Sequence, residues 1–187
     1  MKYLKLSDIC HVIKKGKAVT KNDKGNIYAI GFTNIENGKI VFDKVSKCKL
    51  TNEYEDLLLY HIELNDIIFP PITRKNLIIK QIEVLDNSNE MLYSSRGIFV
   101  RVNQNKYNAE FLYHLLSTQK YQERLLNEVY NYGSYPDTYQ IAVERLENFK
   151  IPDISMEKQI EILNQEKKIT TQIKALENEL FSLYEEL

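Results

Sequence analysis

The stretch FKIPDISMEKQIEIL, residues 149–163, divides this sequence into two regimes. A short apolar run ends at Pro152, a polar step follows, and helix formers then continue without interruption. Proline fixes its own φ and carries no N–H, so it marks a stop for the pattern before it. The reading is one domain over residues 1–152 and a separate helical element over 153–187. Ser155 stands where an N-cap belongs, with Glu157 in the first turn, and neither Gly nor Pro occurs from there to Leu187. The apolar residues keep a heptad track. Ile162, Ile169, Leu176 and Leu183 recur every seven residues, and Ile173, Leu180 and Leu187 each follow the last three of these by four. Glu166 takes the remaining interior slot. This is a coiled-coil seam, with Lys168, Gln172, Lys174, Glu177 and Glu179 on the other faces. About 30 residues rising 1.5 Å each make a rod of roughly 45 Å, which is expected to project and to seek a partner for its stripe.

The residues before Pro152 read differently. Up to about Val102 the chain is a series of short runs rich in Ile, Val, Phe and Tyr: IYAIGF, GKIVF, DIIFPPI, LIIKQIEVL and GIFVRV. Turn signals such as ENGK separate them, and each is too short for a helix, so strands of a mixed or antiparallel sheet are predicted. Asn108 then sits at an N-cap position ahead of AEFLYHLLSTQKYQERLLNEV, where Phe111, Leu112, Leu115, Leu116, Leu125 and Leu126 predict an amphipathic helix. YNYGSYPDTYQ holds a Gly, a Pro and four tyrosines in eleven residues, which predicts a loop. The fold class expected is α+β, a mixed β-rich domain followed by a long C-terminal coiled-coil helix.

Length and composition suit this division. With 187 residues, 43% of them hydrophobic and 11% aromatic, the chain has the material for one core and an appendage. No apolar run approaches the roughly 18 residues of a membrane span, and MKYLKLSD leads into no signal-peptide core, so a cytoplasmic protein without membrane contact is expected. Cys10 and Cys48 suit buried thiols better than a disulfide framework, and His11, His61 and His114 are scattered singly, so no metal site is expected. The net charge of −1 conceals a segregation. Residues 1–80 carry 14 Lys/Arg against 9 Asp/Glu, a net of +5, whereas 81–156 and 157–187 are each at −3. A basic face matters more to a nucleic-acid binder than a basic total, because phosphate contacts are local.

Catalytic constellations are missing from the sequence. It contains no G-x-G-x-x-G, G-x-x-x-x-G-K-[ST], H-E-x-x-H or G-x-S-x-G. FPPI, Phe69 to Ile72, lacks the polar first residue and closing aromatic of an amino-methyltransferase motif and reads as a strand-ending kink. IEVL has Val84 and Leu85 where a nuclease carboxylate pattern needs polar residues. No catalysis is expected from the chain itself.

Several weaker signals fall in a meaningful order. Leu6, Asp8 and Ile9 form L-x-D-I, followed by the basic loop KKGKAVTKNDKG. Tyr28, Ile30, Asn34, Ile35, Gly38 and Ile40 form a strand-pair pattern, and LNDIIF brings Asp66, although Pro70 and Pro71 depart from a Gly-rich continuation. Phe111, Leu112, Leu116 and Ser117 follow on a helix, then Gly133, and finally Ile151, Pro152, Glu157, Gln159 and Ile162. Together these cover nearly the whole chain, and their order resembles one half of the DNA-specificity subunit of a type I restriction-modification system. That family joins two target recognition domains and two helical spacers in one chain.

The resemblance implies that residues 1–152 are a target recognition domain for double-stranded DNA and that 153–187 are a spacer. With one domain and one spacer, a second copy would complete the unit through Ile162, Ile169, Ile173, Leu176, Leu180, Leu183 and Leu187. It also implies docking of a methyltransferase subunit and, through it, a restriction subunit, with chemistry and cofactors belonging to those partners and no cofactor bound here. A truncated specificity subunit, a non-catalytic interaction or regulatory protein occupying methyltransferase or specificity subunits, is the other reading. Within the domain, Lys14, Lys15, Lys17, Lys21 and Lys24 suit phosphate positioning. Asn22, Asn34, Arg74, Asn76 and Arg96 have the forked or bifunctional groups that read base edges. Tyr130, Tyr132 and Tyr135 offer hydroxyls to sugar or phosphate.

Overall fold

The β-branched and aromatic runs of the first hundred residues form short strands, and the heptad segment forms one long helix. The computed structural model describes residues 2–22, 24–48, 59–85 and 90–185. The chain divides into two units, Met1–Asp153 and Ile154–Leu187. In chain order the first unit contains β1 (Tyr3–Lys5), α1 (Leu6–Ile9), β2 (Cys10–Lys15), β3 (Ile27–Ile30), β4 (Ile35–Glu36), β5 (Lys39–Ile40), β6 (Ser46–Cys48), β7 (Ile67–Phe69), β8 (Ile72–Thr73), β9 (Lys80–Gln81), β10 (Met91–Tyr93) and β11 (Ile98–Val102). There follow α2 (Ala109–Ser117), α3 (Gln119–Glu128), β12 (Tyr130–Tyr132), β13 (Tyr139–Ile141), α4 (Val143–Glu147) and β14 (Lys150–Pro152). The second unit is α5 (Met156–Glu185). The fold is a mixed, β-rich α+β domain and a long C-terminal helix.

The strands pair into small sheets. A four-stranded antiparallel sheet runs β2-β11-β7-β9, and a three-stranded sheet runs β10-β3-β6 with β10 parallel to β3. A second three-stranded sheet runs β12-β13-β8. β1 pairs with β14, Tyr3 opposite Pro152, so the first and last strands of the unit close on each other. Ile30, Ile35, Ile62, Ile68, Ile82, Met91, Tyr93 and Phe99 form a core between the first two sheets. The ENGK turn is a tight hairpin between β4 and β5, with Asn37 and Gly38 at φ of 48° and 72°, the left-handed conformation that Asn and Gly adopt at least cost.

Two predicted elements differ in the structure. The helix after Asn108 begins as expected, the Asn108 Oδ1 accepting the Phe111 N–H at 2.9 Å, but it breaks at Thr118. That residue is extended (ψ 146°), its hydroxyl donates to the Leu115 carbonyl, and its own carbonyl accepts from Tyr121. It thus ends α2 and starts α3, so that Leu112 and Leu116 on one helix and Leu125 on the other all become buried. The segment YNYGSYPDTYQ is not a loop but a hairpin, β12 and β13, with Tyr130 opposite Ile141 and Tyr132 opposite Tyr139. Burial of Tyr130 and Val129 under the ladder outweighs the turn-forming composition.

The polar centre of the first unit is Asp66, only 1% exposed. Arg101 grips it bidentately, Nε to Oδ1 and Nη2 to Oδ2, both at 2.9 Å. The Tyr93 hydroxyl donates to Oδ2 at 3.1 Å and the Glu63 N–H at 2.9 Å. Arg101 also donates to the His61 carbonyl and pairs with Glu63, each at 2.6 Å. Burial raises the Asp66 carboxyl, while the guanidinium and these hydrogen bonds pull against that rise. Tyr93 in turn stacks on Phe99 with centroids 4.4 Å apart.

In the second unit, Ser155 Oγ accepts the Lys158 N–H at 3.4 Å, and α5 runs 30 residues, about 45 Å. Its stripe is open to solvent: Ile169, Ile173, Leu176, Leu180 and Leu183 are 49–64% exposed. Ile162 is intermediate in exposure, and Leu187 lies outside the described residues.

Removing one member of the Asp66–Arg101 pair leaves the other charge buried and uncompensated, at a cost of about 3–5 kcal/mol. Asp66→Ala is therefore expected to lower the urea midpoint severely, and Asp66→Leu combined with Arg101→Met to recover most of the loss; equilibrium unfolding of the variants measures both.

Candidate functional site

Three strands end in one row. Lys15 of β2 lies opposite Ile98 of β11, and Ile98 lies opposite Phe69 of β7. β2 and β7 finish at this row and β11 starts from it, so the antiparallel sheet sends three connections out of the same end. They are the basic loop after Lys15, the Ser94–Gly97 turn, and the segment from Pro70 through β8 that returns as β9, where Lys80 pairs with Ile68. The register of one sheet therefore brings together residues that are up to about 80 positions apart in sequence.

The basic loop is held at both ends. A Cβ on Gly16 would lie 2.1 Å from the Ser94 carbonyl oxygen, and one on Gly25 would lie 2.1 Å from that of Cys48. Only glycine allows the chain to press this closely against the strand backbones. Between them the Lys17 N–H donates to the Tyr93 carbonyl at 2.8 Å, Ser95 donates to the Lys17 carbonyl at 2.9 Å, and Asn22 donates to the Lys47 carbonyl at 2.8 Å. The basic loop is thus tied to the sheet. Lys15, Lys21 and Lys24 are exposed. Lys14 and Lys17 share the ring of Tyr60, their ammonium groups 5.0 and 6.0 Å from its centroid, a cation–π arrangement that leaves the charge near the surface. Asn22 is half-buried and its Oδ1 accepts the Lys24 N–H at 3.0 Å, which occupies the acceptor that a bidentate adenine contact would use.

The other predicted readers separate into two groups. Arg96 is exposed on the Ser94–Gly97 turn, its side chain against Gly31. Arg74 and Asn76 are exposed on the turn after β8, which the Thr73 hydroxyl closes by donating to the Asn76 carbonyl at 3.3 Å. Arg74, Lys75, Pro136 and Asp137 line one cleft there. Tyr132 and Tyr135, on the neighbouring hairpin, are 83% and 76% exposed. Two residues do not belong to this surface. Asn34 is buried, and its Oδ1 accepts the Gly31 N–H at 2.9 Å, closing the tight turn after β3. Tyr130 is buried as well, its hydroxyl donating to the Pro70 carbonyl at 2.9 Å, and burial holds its phenol well above the ordinary value. Both are packing residues, because a backbone partner inside the domain satisfies the polar group of each.

Sequence reasoning missed Lys75, next to Arg74 in the same cleft, and Lys47, whose ammonium lies 5.0 Å from the Tyr28 ring centroid. Lys75 carried an available signal in its neighbour. The part played by Tyr60 carried none, since it depends on the packing of that ring against Phe99. Among the described residues no three His, Cys, Asp or Glu side chains are arranged so as to hold a metal ion. Burial pushes the Cys10 thiol up to about 12, which leaves it far from a reactive thiolate at neutral pH. What the surface offers is positive charge, guanidinium and amide groups, and exposed aromatic rings around one end of a rigid sheet.

No protein-family model matches the sequence, and no curated protein matches it. Solved structures do. The chain is similar to the HsdS subunit from Thermoanaerobacter tengcongensis at 20% identity and a TM-score of 0.65, covering 95% of this chain and 44% of that one. It is similar at 20% identity and a TM-score of 0.64 to a chain from a structure of a type I R-M system that concerns complex assembly and conformational transition, again over 95% and 44%. The S subunit of a type I restriction-modification system from M. genitalium aligns at 15% identity and a TM-score of 0.49, over 94% of this chain and 40% of that one. The chain shares the fold of the first two of these chains and spans about 44% of their length.

The glycine contacts make the loop geometry testable. Gly16→Ala places a methyl group against a backbone carbonyl that cannot yield without moving the strand, an overpacking cost of about 1–3 kcal/mol. A comparable fall in unfolding free energy, with faster proteolysis confined to the segment around Lys17–Lys24, is the expected outcome by denaturation and limited digestion.

Proposed function

We propose that this chain is a DNA-recognition subunit of a type I restriction-modification system. The observation that carries the reading is the specificity-subunit fold over 95% of the chain. Residues 1–152 act as the target recognition domain for double-stranded DNA, and residues 153–187 as the spacer through which a second copy pairs. Methyltransferase subunits dock on the assembly, and a restriction subunit joins through them. The chain binds no cofactor and performs no catalysis of its own; those tasks fall to the partners.

The lysine loop supplies positioning. Lys14, Lys15, Lys17, Lys21 and Lys24 contact phosphates and release condensed counterions, a term independent of sequence. Anchoring by Gly16 and Gly25 means that little loop entropy remains to be lost on binding. Arg74, Asn76 and Arg96 are the readers that stay exposed, and Tyr132 and Tyr135 meet the sugar and phosphate edge. Asp137 in the Arg74 cleft opposes phosphate locally, and Arg74 and Lys75 beside it compensate.

The helix supplies measurement. A stripe of five large aliphatic side chains, each about half or more exposed, is costly to leave in water and is supported as a helix-pairing seam by its heptad spacing. Two identical stripes packed antiparallel form a two-fold interface that sends the recognition domains to opposite ends. A two-fold protein reads a two-fold site, so the target is an inverted repeat with an uncontacted spacer. A rod of roughly 45 Å spans about 13 base pairs at 3.4 Å each.

Ile173→Asp with Leu176→Asp places two carboxylates in the seam. Sedimentation equilibrium is expected to find the wild-type chain dimeric and this variant monomeric at micromolar concentration, with an unchanged unfolding midpoint for the residues before Pro152. Co-expression with a type I methyltransferase subunit, followed by methylation mapping, is expected to reveal a bipartite inverted repeat; a contiguous or asymmetric target would overturn the homodimer.

A further inference from the structure

The sheet β12-β13-β8 presents a row of side chains that none of the assignments above uses. Asn131 lies opposite Gln140, and Gln140 lies opposite Ile72. Cross-strand partners point to the same face, with Cβ atoms about 5 Å apart. All three residues are exposed, Ile72 by 57%. On the opposite face Tyr130 is buried with its hydroxyl on Pro70 and Thr73 is 9% exposed, whereas Tyr132, at the end of the ribbon, stays exposed with its ring 5.1 Å from that of Tyr139. Among the described residues neither the Asn131 nor the Gln140 carboxamide has a hydrogen-bond partner.

Two adjacent carboxamides with an aliphatic tip beside them match a particular chemistry. Each carboxamide donates through its N–H to adenine N7 and accepts from the adenine N6 amino group, while an aliphatic side chain suits the thymine methyl. These groups sit together only in the major groove, about 12 Å wide, which admits a two-stranded β-ribbon. Backbone pairing fixes the spacing of the two Cα atoms and the face from which both side chains leave, a constraint that a loop asparagine lacks. Arg74 and Lys75 stand on the turn that continues from Ile72 and Thr73, placed to hold the phosphates of the groove wall, and Asp137 is the carboxylate that shares their cleft.

We propose that the β12-β13 ribbon reads adenine in the major groove through Asn131 and Gln140, with Ile72 against a thymine methyl. The inference rests on the DNA-recognition reading above and names the base class that this sheet selects.

The test is selection of bound duplexes from a random-sequence DNA library by the full-length wild-type chain and by Asn131→Ala and Gln140→Ala. The wild type is expected to enrich a motif containing adenine. Each variant is expected to lose the adenine preference at one position and to bind the wild-type site about 5- to 150-fold more weakly, the span of 1–3 kcal/mol for one bidentate contact. On the DNA side, 7-deazaadenine at the affected position removes the N7 acceptor. It is expected to weaken the wild type to a similar degree and the matching variant hardly at all. An unchanged motif in both variants overturns the ribbon as reader and leaves the DNA-recognition reading standing. Failure of the wild type to enrich any motif overturns both.

Discussion

The bidentate pair between Asp66 and Arg101 is the constraint on which the rest of the first unit depends. Asp66 immediately precedes β7 and Arg101 lies near the end of β11, and these strands are neighbours, with Ile67 opposite Val100. Two charged groups withdrawn from water tolerate little misalignment, because their attraction offsets desolvation only when the hydrogen bonds are complete. The pair therefore pins the register of β7 against β11. A slip of one residue would turn every side chain of the strand to the wrong face and break the pair as well. Tyr93 carries the same constraint into the second sheet, since its hydroxyl reaches Asp66 while its ring stacks on Phe99.

The consequence appears at the far end of the same strands. With Phe69, Ile98 and Lys15 fixed in a row, the lysine loop, the Arg96 turn and the Arg74 segment must all leave from one rim. A buried ion pair thus decides which exposed cations can act together. The glycines complete the arrangement, since Gly16 and Gly25 press the loop against the backbones of Ser94 and Cys48, where no side chain fits. Preorganisation of this kind lowers the entropy lost on binding, which favours affinity without adding contacts.

Much of the architecture was legible from local signals. The Asn108 cap, the Asn37–Gly38 hairpin and the helix beginning at Met156 each follow from one or two residues whose preferences agree with their neighbours. Misreadings came where tertiary burial opposed local preference. Thr118 breaks a helix that its flanking apolar residues would have continued, and the tyrosine-rich segment pairs as strands because Val129 and Tyr130 have a core to enter. In the candidate site, Asn34 and Tyr130 looked like exposed polar readers and are instead satisfied inside the domain, while Asn131 and Gln140, on the face the same hairpin turns to solvent, drew no notice in the sequence. A residue type states what hydrogen bonds a side chain can make. Which bonds are already taken depends on neighbours distant in sequence.

The sequence by itself determined the change of pattern after Pro152, the heptad stripe of the helix and the strand-rich character of what precedes it, because periodicity and backbone restriction act over a few residues. Only the tertiary structure decided which cations share one rim, which polar side chains remain free and which face of the Tyr130–Ile141 hairpin looks outward. Those outcomes follow from strand register, and register is set by the pairing of Asp66 with Arg101, 35 residues apart, which no local pattern encodes.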